Sequence, residues 1–318
     1  MTSKSKPTIA VVGATGAQGG GLVRAILSDP EQRFAVRAVT RNPESASGRA
    51  LANQGAQIMA GDLDDLGSLE RAFRGADAAF CVTFYWAHLS PKLEIAHAQN
   101  LAKAAKQTHL SHVIWSTLED TRRFVPLSDN RMPTLLGEYK VPHFDAKASG
   151  NHVFAELGLP TTYLYTSFYW DNLIHFGLGP KRNADGLLSF TLPMGTAKMP
   201  GIAAEDIGRC ALALFKKGAS TIGTSVGIAG EHLSGGEMAA ELSRAFGEPV
   251  LHADVTPEAY RGFGFPGADD LGNMFQFKRD FERDFRNARD VNRSRALYPE
   301  LQTFATWLAQ NEGKIPRS

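Results

Sequence analysis

The chain has 318 residues, of which 43% are hydrophobic and 21% charged, and its formal net charge is +1. This composition is typical of a globular protein with enough length for a large core. A net charge near zero gives no electrostatic case for binding nucleic acid or a membrane surface. The start, MTSKSKPTIAVV, lacks a signal-peptide pattern, and no apolar stretch approaches the ~20 residues of a membrane span. We therefore expect a cytoplasmic protein.

The first half of the chain alternates short apolar runs with longer helical patterns. Predicted helical segments lie between the runs, for example SLERAFRG and PKLEIAHAQNLAKAAKQT. This alternation favours right-handed βαβ units and a parallel sheet, and runs such as IAVV and AAFCV suit strands covered on both faces. The predicted strands are residues 8–12, 35–40, 56–61, 77–83, 112–117 and 161–166.

From about residue 167 the alternation of strands and helices becomes irregular. Turn-rich segments and a charged tail, FKRDFERDFRNARDVNRSR, follow. We predict an α/β protein, a Rossmann doubly wound parallel sheet with a smaller C-terminal α/β domain on the substrate side. The predicted domains are residues 1–166 and 167–318, the second interleaved with the last elements of the sheet. The two cysteines, Cys81 and Cys210, lie in apolar segments, so we expect inert buried thiols and no metal site.

The first predicted strand runs into a glycine-rich corner, IAVVGATGAQGGGLV, which opens the first predicted helix. Gly13, Gly16 and Gly19 have the spacing GxxGxxG of a dinucleotide site. The first glycine makes the tight turn, the second lets backbone N–H groups approach a pyrophosphate, and the third permits close packing of helix on strand. A plain turn is the alternative, but the place in a βαβ series favours phosphate binding.

The end of the second strand distinguishes the two nicotinamide cofactors. An NAD site has an acidic residue there, about 20 residues beyond the glycines, for the ribose hydroxyls. This chain has Thr40 and Arg41 instead, with Glu44 only after a proline. A guanidinium pairs with a 2′-phosphate that a carboxylate would repel, which favours NADP over the alternative of a solvated loop arginine.

Two further strand ends carry candidate cofactor contacts. After the third strand, Asp62 is placed to accept a hydrogen bond from the adenine amino group, with Leu63 against the ring. The alternative is that the carboxylates here serve the next helix, with Asp64 or Asp65 as its N-cap. After the fourth strand come Thr83, Phe84 and Tyr85, at the edge that faces the cofactor crevice of a doubly wound sheet.

The sequence resembles the NmrA-like family of atypical short-chain dehydrogenase/reductase proteins, and within it the NADP(H)-sensing branch. The resemblance covers almost the whole chain and is carried by GATGAQGG (13–20), VTRNP (39–43), GDLDD (61–65), VTFYW (82–86), HFDAK (143–147), FYWDNL (168–173) and GFPGADDLGNMFQF (264–277). It implies NADP(H) as cofactor, held by a Rossmann domain with a small C-terminal domain. The chain departs from the redox-sensor members by a longer insert at residues 119–142.

The resemblance also implies which residues contact each part of the cofactor. Arg41 would bind the 2′-phosphate, while Asp62 and Leu63 would flank adenine. The remaining implied contacts are Gly13, Ala14, Thr15, Gly16, Ala17 and Gln18 at the pyrophosphate, Thr83, Phe84, Tyr85 and Lys147 at the ribose and nicotinamide, and Tyr169, Trp170, Asp171 and Asn172 closing over the nicotinamide end.

Catalytic short-chain dehydrogenases use a tyrosine four residues before a lysine, together with an upstream serine that polarises the carbonyl. Here the serine position matches Ser116 and the lysine matches Lys147, but the tyrosine position is His143. The usual proton donor is therefore missing.

Three hypotheses follow. The first, which we favour on sequence, is a redox sensor or regulator that binds NADP(H) without turnover. The second is an NADPH-dependent reductase of a carbonyl, ene or imine, with a displaced donor: His143, Tyr139, Tyr169 or Lys147. The third is a scaffold with a decayed site. For His143 a hydrogen bond to the backbone at the start of a helix, for Tyr139 and Tyr169 simple packing, and for Ser116 a local turn are the non-catalytic alternatives.

The expected partners are a small-molecule substrate or a regulatory protein. We expect no direct contact with nucleic acid or membranes. The segment VTPEAYRGFGFPGADDLGNMFQF, residues 255–277, offers an apolar and aromatic surface that leaves a homodimer open.

Overall fold

The structure is a computed structural model that describes residues 6–317. Its contacts group the chain into two compact units, each built from separate segments. The first unit contains the chain up to Asp120, then Ala146–Tyr165 and Glu205–Val226; the second contains Thr121–Asp145, Thr166–Ala204 and the chain from Gly227 onward. The division into domains 1–166 and 167–318 stays a prediction.

A seven-stranded sheet with order β11-β6-β5-β4-β1-β2-β3 organises the first unit. The pairs from β3 through β6 are all parallel, which confirms the predicted Rossmann-type α/β fold. The strands of this sheet are β1 (Thr8–Val12), β2 (Ala35–Thr40), β3 (Gln57–Ala60), β4 (Ala78–Cys81), β5 (His112–Thr117), β6 (Thr161–Tyr165) and β11 (Ser225–Gly227).

Three strands are shorter than the sequence predicts. The expected strand at residues 56–61 is limited to β3, that at residues 77–83 ends at Cys81, and that at residues 161–166 ends at Tyr165. The second difference has a local cause, because the chain turns into a short 3-10 helix at Tyr85–Ala87 directly after leaving the sheet. Thr83 therefore lies beyond the strand, in the turn.

The helices around this sheet begin at recognisable sequence signals. Asp65 and Ser90 cap two of them by accepting hydrogen bonds from the backbone, and Pro91 occupies the first helical position of the second. The helices are α1 (Ala17–Leu27), α2 (Ala46–Asn53), α3 (Leu66–Phe73), α4 (Pro91–Gln107), α5 (Pro142–Glu156) and α7 (Ala204–Lys217).

The core of the first unit is formed where these helices pack on the sheet. Trp115 of β5 stacks on Phe154 of α5 with ring centroids 4.9 Å apart, among buried alanines and leucines of α3 and α4. On the other side, Gly208 of α7 lies so close to α1 that a Cβ would stand 2.1 Å from the backbone nitrogen of Leu22. Cys81 and Cys210 are both fully buried, and burial raises the pKa of each thiol.

The second unit contains two three-stranded sheets, with orders β12-β10-β7 and β13-β9-β8, and a set of helices. Its strands are β7 (Phe168–Tyr169), β8 (Lys181–Arg182), β9 (Leu188–Thr191), β10 (Met199–Ile202), β12 (Glu231–Leu233) and β13 (Val250–Ala253). Its helices are α6 (Asn172–His175), α8 (Gly235–Phe246), α9 (Pro257–Arg261), α10 (Ala268–Asp280), α11 (Glu282–Ala288), α12 (Val291–Leu297) and α13 (Phe304–Asn311).

The insert at residues 119–142 is anchored by one buried carboxylate. Asp145 accepts hydrogen bonds from the backbone and hydroxyl of Thr121 at 2.7 and 2.6 Å, and from the backbone of Lys140 and Val141 at 2.9 and 3.2 Å. Asn273 of α10 adds a hydrogen bond to the carbonyl of Lys140 at 2.5 Å. Both ends of the insert are thereby fixed. Among residues 6–317, no helix has the length and hydropathy needed to cross a bilayer.

Candidate functional site

The glycine-rich corner forms the tight turn between β1 and α1 that the sequence predicts. Gly13 has a φ of +64°, a conformation that favours glycine, and the N–H of Gly16 donates to its carbonyl at 2.9 Å. A Cβ at Gly19 would lie 2.4 Å from that same carbonyl oxygen, so a side chain there cannot be accommodated without movement. Ala14 is buried and donates to the carbonyl of Val39 in β2 at 3.2 Å, which fixes the turn on the sheet.

The start of α1 is suited to an anion. Its N-cap is Gly16, and no side chain caps the helix within the described part of the chain. Thr15, Gly16 and Ala17 are exposed, and Gln18 is partly exposed. The first N–H groups of a helix attract negative charge, so this turn fits a pyrophosphate.

Arg41 follows directly on the last residue of β2. Its side chain is exposed and makes no hydrogen bond or ion pair with any residue between 6 and 317. The nearby Asn42 is occupied in a local turn, accepting from the N–H of Glu44 at 3.1 Å. Among residues 6–317, the guanidinium therefore stabilises no other residue. It lies at the position where we expect the ribose of a bound dinucleotide.

The Asp62 carboxylate makes a local turn after β3, accepting from the N–H of Asp64 at 3.1 Å. The competing capping role falls to Asp65, which accepts from the N–H of Ser68 at 3.1 Å. Asp62 is thus not the cap of α3. Leu63 is partly buried against the core, and its carbonyl accepts from Asn100 at 2.8 Å.

Lys147 lies in a buried polar cluster in the first unit. Its ammonium contacts the carbonyl and hydroxyl oxygens of Thr83 at 3.1 and 2.6 Å, and Oε1 of Glu94 at 2.7 Å. Thr83 also donates its hydroxyl hydrogen to Glu94. The three hydrogens of the ammonium therefore have three acceptors. The structure brings Thr83 and Lys147 together, and it adds Glu94, which is not among the residues predicted from the sequence.

Glu94 is fully buried on the inner face of α4, and its charge is stabilised by its neighbours. Burial raises the pKa of this carboxyl, but Lys147 and the hydrogen bonds from Lys147 and Thr83 lower it more, so the net shift is downward. One signal in the sequence could have found this residue. Glu94 stands at helical spacing with His97, Ala98 and Leu101, so a carboxylate lies on the face of α4 that packs inward.

Two histidines extend this cluster toward the surface. Nε2 of His88 lies 3.4 Å from Oε2 of Glu94. Nε2 of His97 lies 2.9 Å from the carboxylate of Asp64, whose side chain is 73% exposed. The cluster therefore connects Lys147 with solvent through Glu94, the two imidazoles and Asp64.

Ser116, the matched serine of the dehydrogenase pattern, is buried at the end of β5. Its hydroxyl donates to Oε1 of Gln18 at 2.7 Å, so it contacts the helix that begins at the glycine turn. The expected local turn is not what holds this hydroxyl.

His143 lies in the first turn of α5 and is buried. Asp270 of α10 holds it twice, with Oδ1 at 2.6 Å from the ring Nδ1 and Oδ2 at 3.1 Å from the backbone nitrogen. The residue at the tyrosine position is thus fixed by a buried carboxylate in the second unit. The ring Nδ1 thus contacts a carboxylate, whereas the non-catalytic alternative expects backbone, and the role of His143 as a proton donor stays a prediction.

The two candidate tyrosines also belong to the second unit. Tyr139 precedes α5, which begins at Pro142, and the guanidinium of Arg122 lies 5.7 Å from its ring. The hydroxyl of Tyr169 lies 3.1 Å from that of Thr166, and burial raises its pKa to about 12. Burial raises the pKa of Tyr139 as well, so neither phenol is made more acidic.

The remaining predicted cofactor contacts differ in exposure. Phe84 is 54% exposed, whereas Tyr85 is buried. Trp170 is buried in the second unit beside Phe304 and Trp307, with centroids 5.4 and 6.4 Å away. Asp171 accepts from the N–H of Ala204 at 2.8 Å, and Asn172 begins α6. Their contacts with a cofactor stay predictions.

The sequence model of the NmrA-like family matches residues 5–308. The chain belongs to the NmrA-like family. This assignment confirms the resemblance given by the motifs, and it places the chain in a family of Rossmann-type oxidoreductases and regulators.

Two curated relatives of this NmrA-like chain have different described roles. An NAD(P)H azoreductase of Xenophilus azovorans is 30% identical over 274 residues, covering 84% of this chain and 86% of the relative. The nitrogen metabolite repression protein of Emericella nidulans is 28% identical over 266 residues, covering 80% of this chain and 69% of the relative. Among solved structures, the negative transcriptional regulator NmrA in complex with NADP is 23% identical, has a TM-score of 0.78 and aligns over 96% and 95% of the two chains, which shows a shared fold.

Proposed function

We propose that this chain binds NADP(H), with the pyrophosphate at the Gly13–Gly19 turn and the 2′-phosphate on Arg41. Arg41 carries this proposal, since an exposed guanidinium that has no partner among residues 6–317 stands where an NAD-binding protein has a carboxylate. The turn supports it, because Gly19 is confined by the carbonyl of Gly13 and the start of α1 has no side-chain cap.

Lys147 would contact the nicotinamide ribose by exchanging one of its present acceptors. Its three hydrogens face Thr83 and Glu94, so a ribose hydroxyl has to replace one of the two Thr83 oxygens. The ion pair with Glu94 remains and keeps the ammonium in place. A buried, charge-assisted contact of this kind is worth more than an exposed one.

We further propose that the chain is an NADPH-dependent reductase of conjugated, electron-poor substrates such as azo compounds and quinones. Bound NADPH would supply a hydride. A conjugated acceptor spreads the resulting negative charge over several atoms, so it can take its proton from water, whereas an isolated alkoxide needs a donor. The His143–Asp270 pair carries this choice, because the usual tyrosine is replaced by a buried imidazole whose ring and backbone nitrogens are both held by Asp270. The azoreductase relative supports it.

A regulator that binds NADP(H) without turnover is the second candidate. The similarity to the nitrogen metabolite repression protein favours it. The ion pair of Lys147 with Glu94 favours it too, because it neutralises the lysine of the dehydrogenase pattern. This was the interpretation that the sequence favoured.

The test is consumption of NADPH by the purified protein with methyl red, a naphthoquinone, an enone and a simple aliphatic aldehyde. We expect turnover of the azo dye or the quinone and none of the aldehyde. The His143→Gln variant should keep kcat within about threefold, because His143 supplies no proton. His109→Gln, at an exposed position, is the matched control.

Two outcomes would contradict the reductase. Tight NADPH binding with no turnover of any substrate would favour the regulator. Reduction of the aldehyde that is lost in His143→Gln but kept in His109→Gln would show that His143 is a proton donor after all.

A further inference from the structure

Three buried side-chain atoms without a hydrogen-bond partner converge at one place in the first unit. They are Nε2 of His88, Oε2 of Glu94 and Nδ1 of His97, and all three lie within 4.8 Å of one another. A buried polar atom without a partner costs about 1–3 kcal/mol, so three together call for an explanation.

The tautomers of the two histidines follow from their other contacts. Nε2 of His97 lies 2.9 Å from the Asp64 carboxylate and therefore donates, which leaves a lone pair on Nδ1 in the neutral ring. Nδ1 of His88 accepts from the N–H of Ser90 at 3.1 Å, so the hydrogen of the neutral ring stands on Nε2. With both rings neutral, the single hydrogen on His88 faces two acceptors, Glu94 Oε2 and His97 Nδ1.

One additional hydrogen resolves this mismatch. We propose that His88, Glu94 and His97 form a buried proton-binding site beside Lys147, with the bound proton on Nδ1 of His97. The site then has two donors, on His88 and His97, around the one acceptor on Glu94. The charges of the contacting side chains alternate, positive on Lys147, negative on Glu94, positive on His97 and negative on Asp64. Each buried charge therefore has an opposite neighbour.

A metal ion fits these residues less well. It would need a lone pair on Nε2 of His88, where the contact with Ser90 places a hydrogen. The ammonium of Lys147, 2.7 Å from the same carboxylate, would also repel a divalent cation.

The groups that face the site come from four parts of the first unit. Lys147 lies on α5, Glu94 and His97 on α4, His88 in the turn before α4, and Asp64 in the turn before α3. Tyr85 packs edge-on against His88, with centroids 5.7 Å apart. Burial lowers the pKa of His88, and the charge of Glu94 raises it less than burial lowers it, which agrees with a neutral His88 that donates.

The consequence for catalysis rests on the proposed reductase. A hydride brings the substrate two electrons and one hydrogen, and the product takes up one further proton. The proposed reductase takes that proton from water, so the contribution of the site is electrostatic: its bound proton offsets the charge of Glu94 and keeps this carboxylate against Lys147, 2.7 Å away. The bound proton exchanges with solvent through the exposed carboxylate of Asp64. His88 and His97 are thus positioning residues, and neither needs to contact the substrate.

The experiment is a nitrogen NMR titration of the protein with 15N-labelled histidine, without cofactor, between pH 6 and pH 9. At pH 7 we expect His97 to carry hydrogen on both ring nitrogens and His88 to carry it on Nε2 alone. In the Glu94→Gln variant we expect His97 at pH 7 to carry hydrogen on one ring nitrogen only, because an opposite charge is removed. Glu156→Gln removes an exposed carboxylate elsewhere and should change nothing.

Asp64→Asn removes the exposed negative charge that contacts His97. It provides the test if Glu94→Gln does not fold. His97 of this variant should likewise carry a single ring hydrogen at pH 7. A singly protonated His97 at pH 7 in the natural chain, a doubly protonated His97 in both variants, or one tightly bound zinc per purified chain would each overturn the proposal. The titration needs neither cofactor nor substrate, so failure of the proposed reductase would leave its result unchanged.

Discussion

Gly19 occupies the most restricted position of the glycine turn. A Cβ there would meet the carbonyl oxygen of Gly13 at 2.4 Å and that of Val12 at 2.8 Å, and both belong to the backbone that ends β1. A rigid backbone cannot yield as a flexible side chain can. The close approach therefore holds the start of α1 where its N–H groups meet the phosphates in the proposed complex.

The Gly19→Ala variant should lose about 1–3 kcal/mol of unfolding free energy, because an added methyl group overpacks the turn. Its affinity for NADPH should fall at least about tenfold. Urea unfolding and calorimetry measure the two effects. Gly236→Ala in α8, where nothing lies within 4 Å of the new Cβ, should be stabilised by about 0.5–1 kcal/mol. Equal behaviour of the two variants would show that the turn is not restricted.

Single residues differ in how far the sequence predicts them. The glycine turn follows from spacing next to a strand, since the backbone conformation depends on neighbouring residues. Helical spacing places Glu94 on the inward face of its helix, but its ion pair could not be predicted, because Lys147 lies on a different helix. The contact of His143 with Asp270 could not be predicted either, because Asp270 lies 127 residues further along the chain.

At the scale of elements, the insert at residues 119–142 is held by side chains at its two ends. Asp145, in the first turn of α5, accepts hydrogen bonds from both Thr121 and Lys140. The sequence identifies the insert by its length and composition. Its anchoring could not be predicted, because a buried aspartate in a first helical turn looks like an ordinary N-terminal acidic residue.

The Asp145→Asn variant should lose about 2–3 kcal/mol of unfolding free energy. The new amide nitrogen replaces an acceptor that faces the backbone N–H groups of Lys140 and Val141, so buried donors are left unpaired. Urea unfolding measures the loss, and limited proteolysis should then cut within residues 119–142. Glu138→Gln, exposed in the same insert, should stay within about 0.5 kcal/mol of the natural chain. Resistance of Asp145→Asn to both treatments would contradict the anchoring.

For the whole molecule, the sequence predicts the parallel arrangement of the large sheet, but it does not predict which segments form each compact unit. Apolar runs separated by helices specify a parallel sheet, because right-handed crossovers leave few alternatives. The two compact units, however, exchange segments several times along the chain. Composition and periodicity are local properties, and they do not record which distant segments pack together.

Calorimetric titration with NADPH and NADH tests the proposed binding of NADP(H) through Arg41. Arg41→Ala should weaken NADPH binding about 10- to 100-fold, the value of one or two charge-assisted hydrogen bonds, and change NADH binding less than about twofold. Arg33→Ala, whose guanidinium pairs with Glu31 at the surface, is the control and should bind both as the natural chain does. Equal losses for the two nucleotides in Arg41→Ala, or no binding of NADPH by the natural chain, would contradict the account.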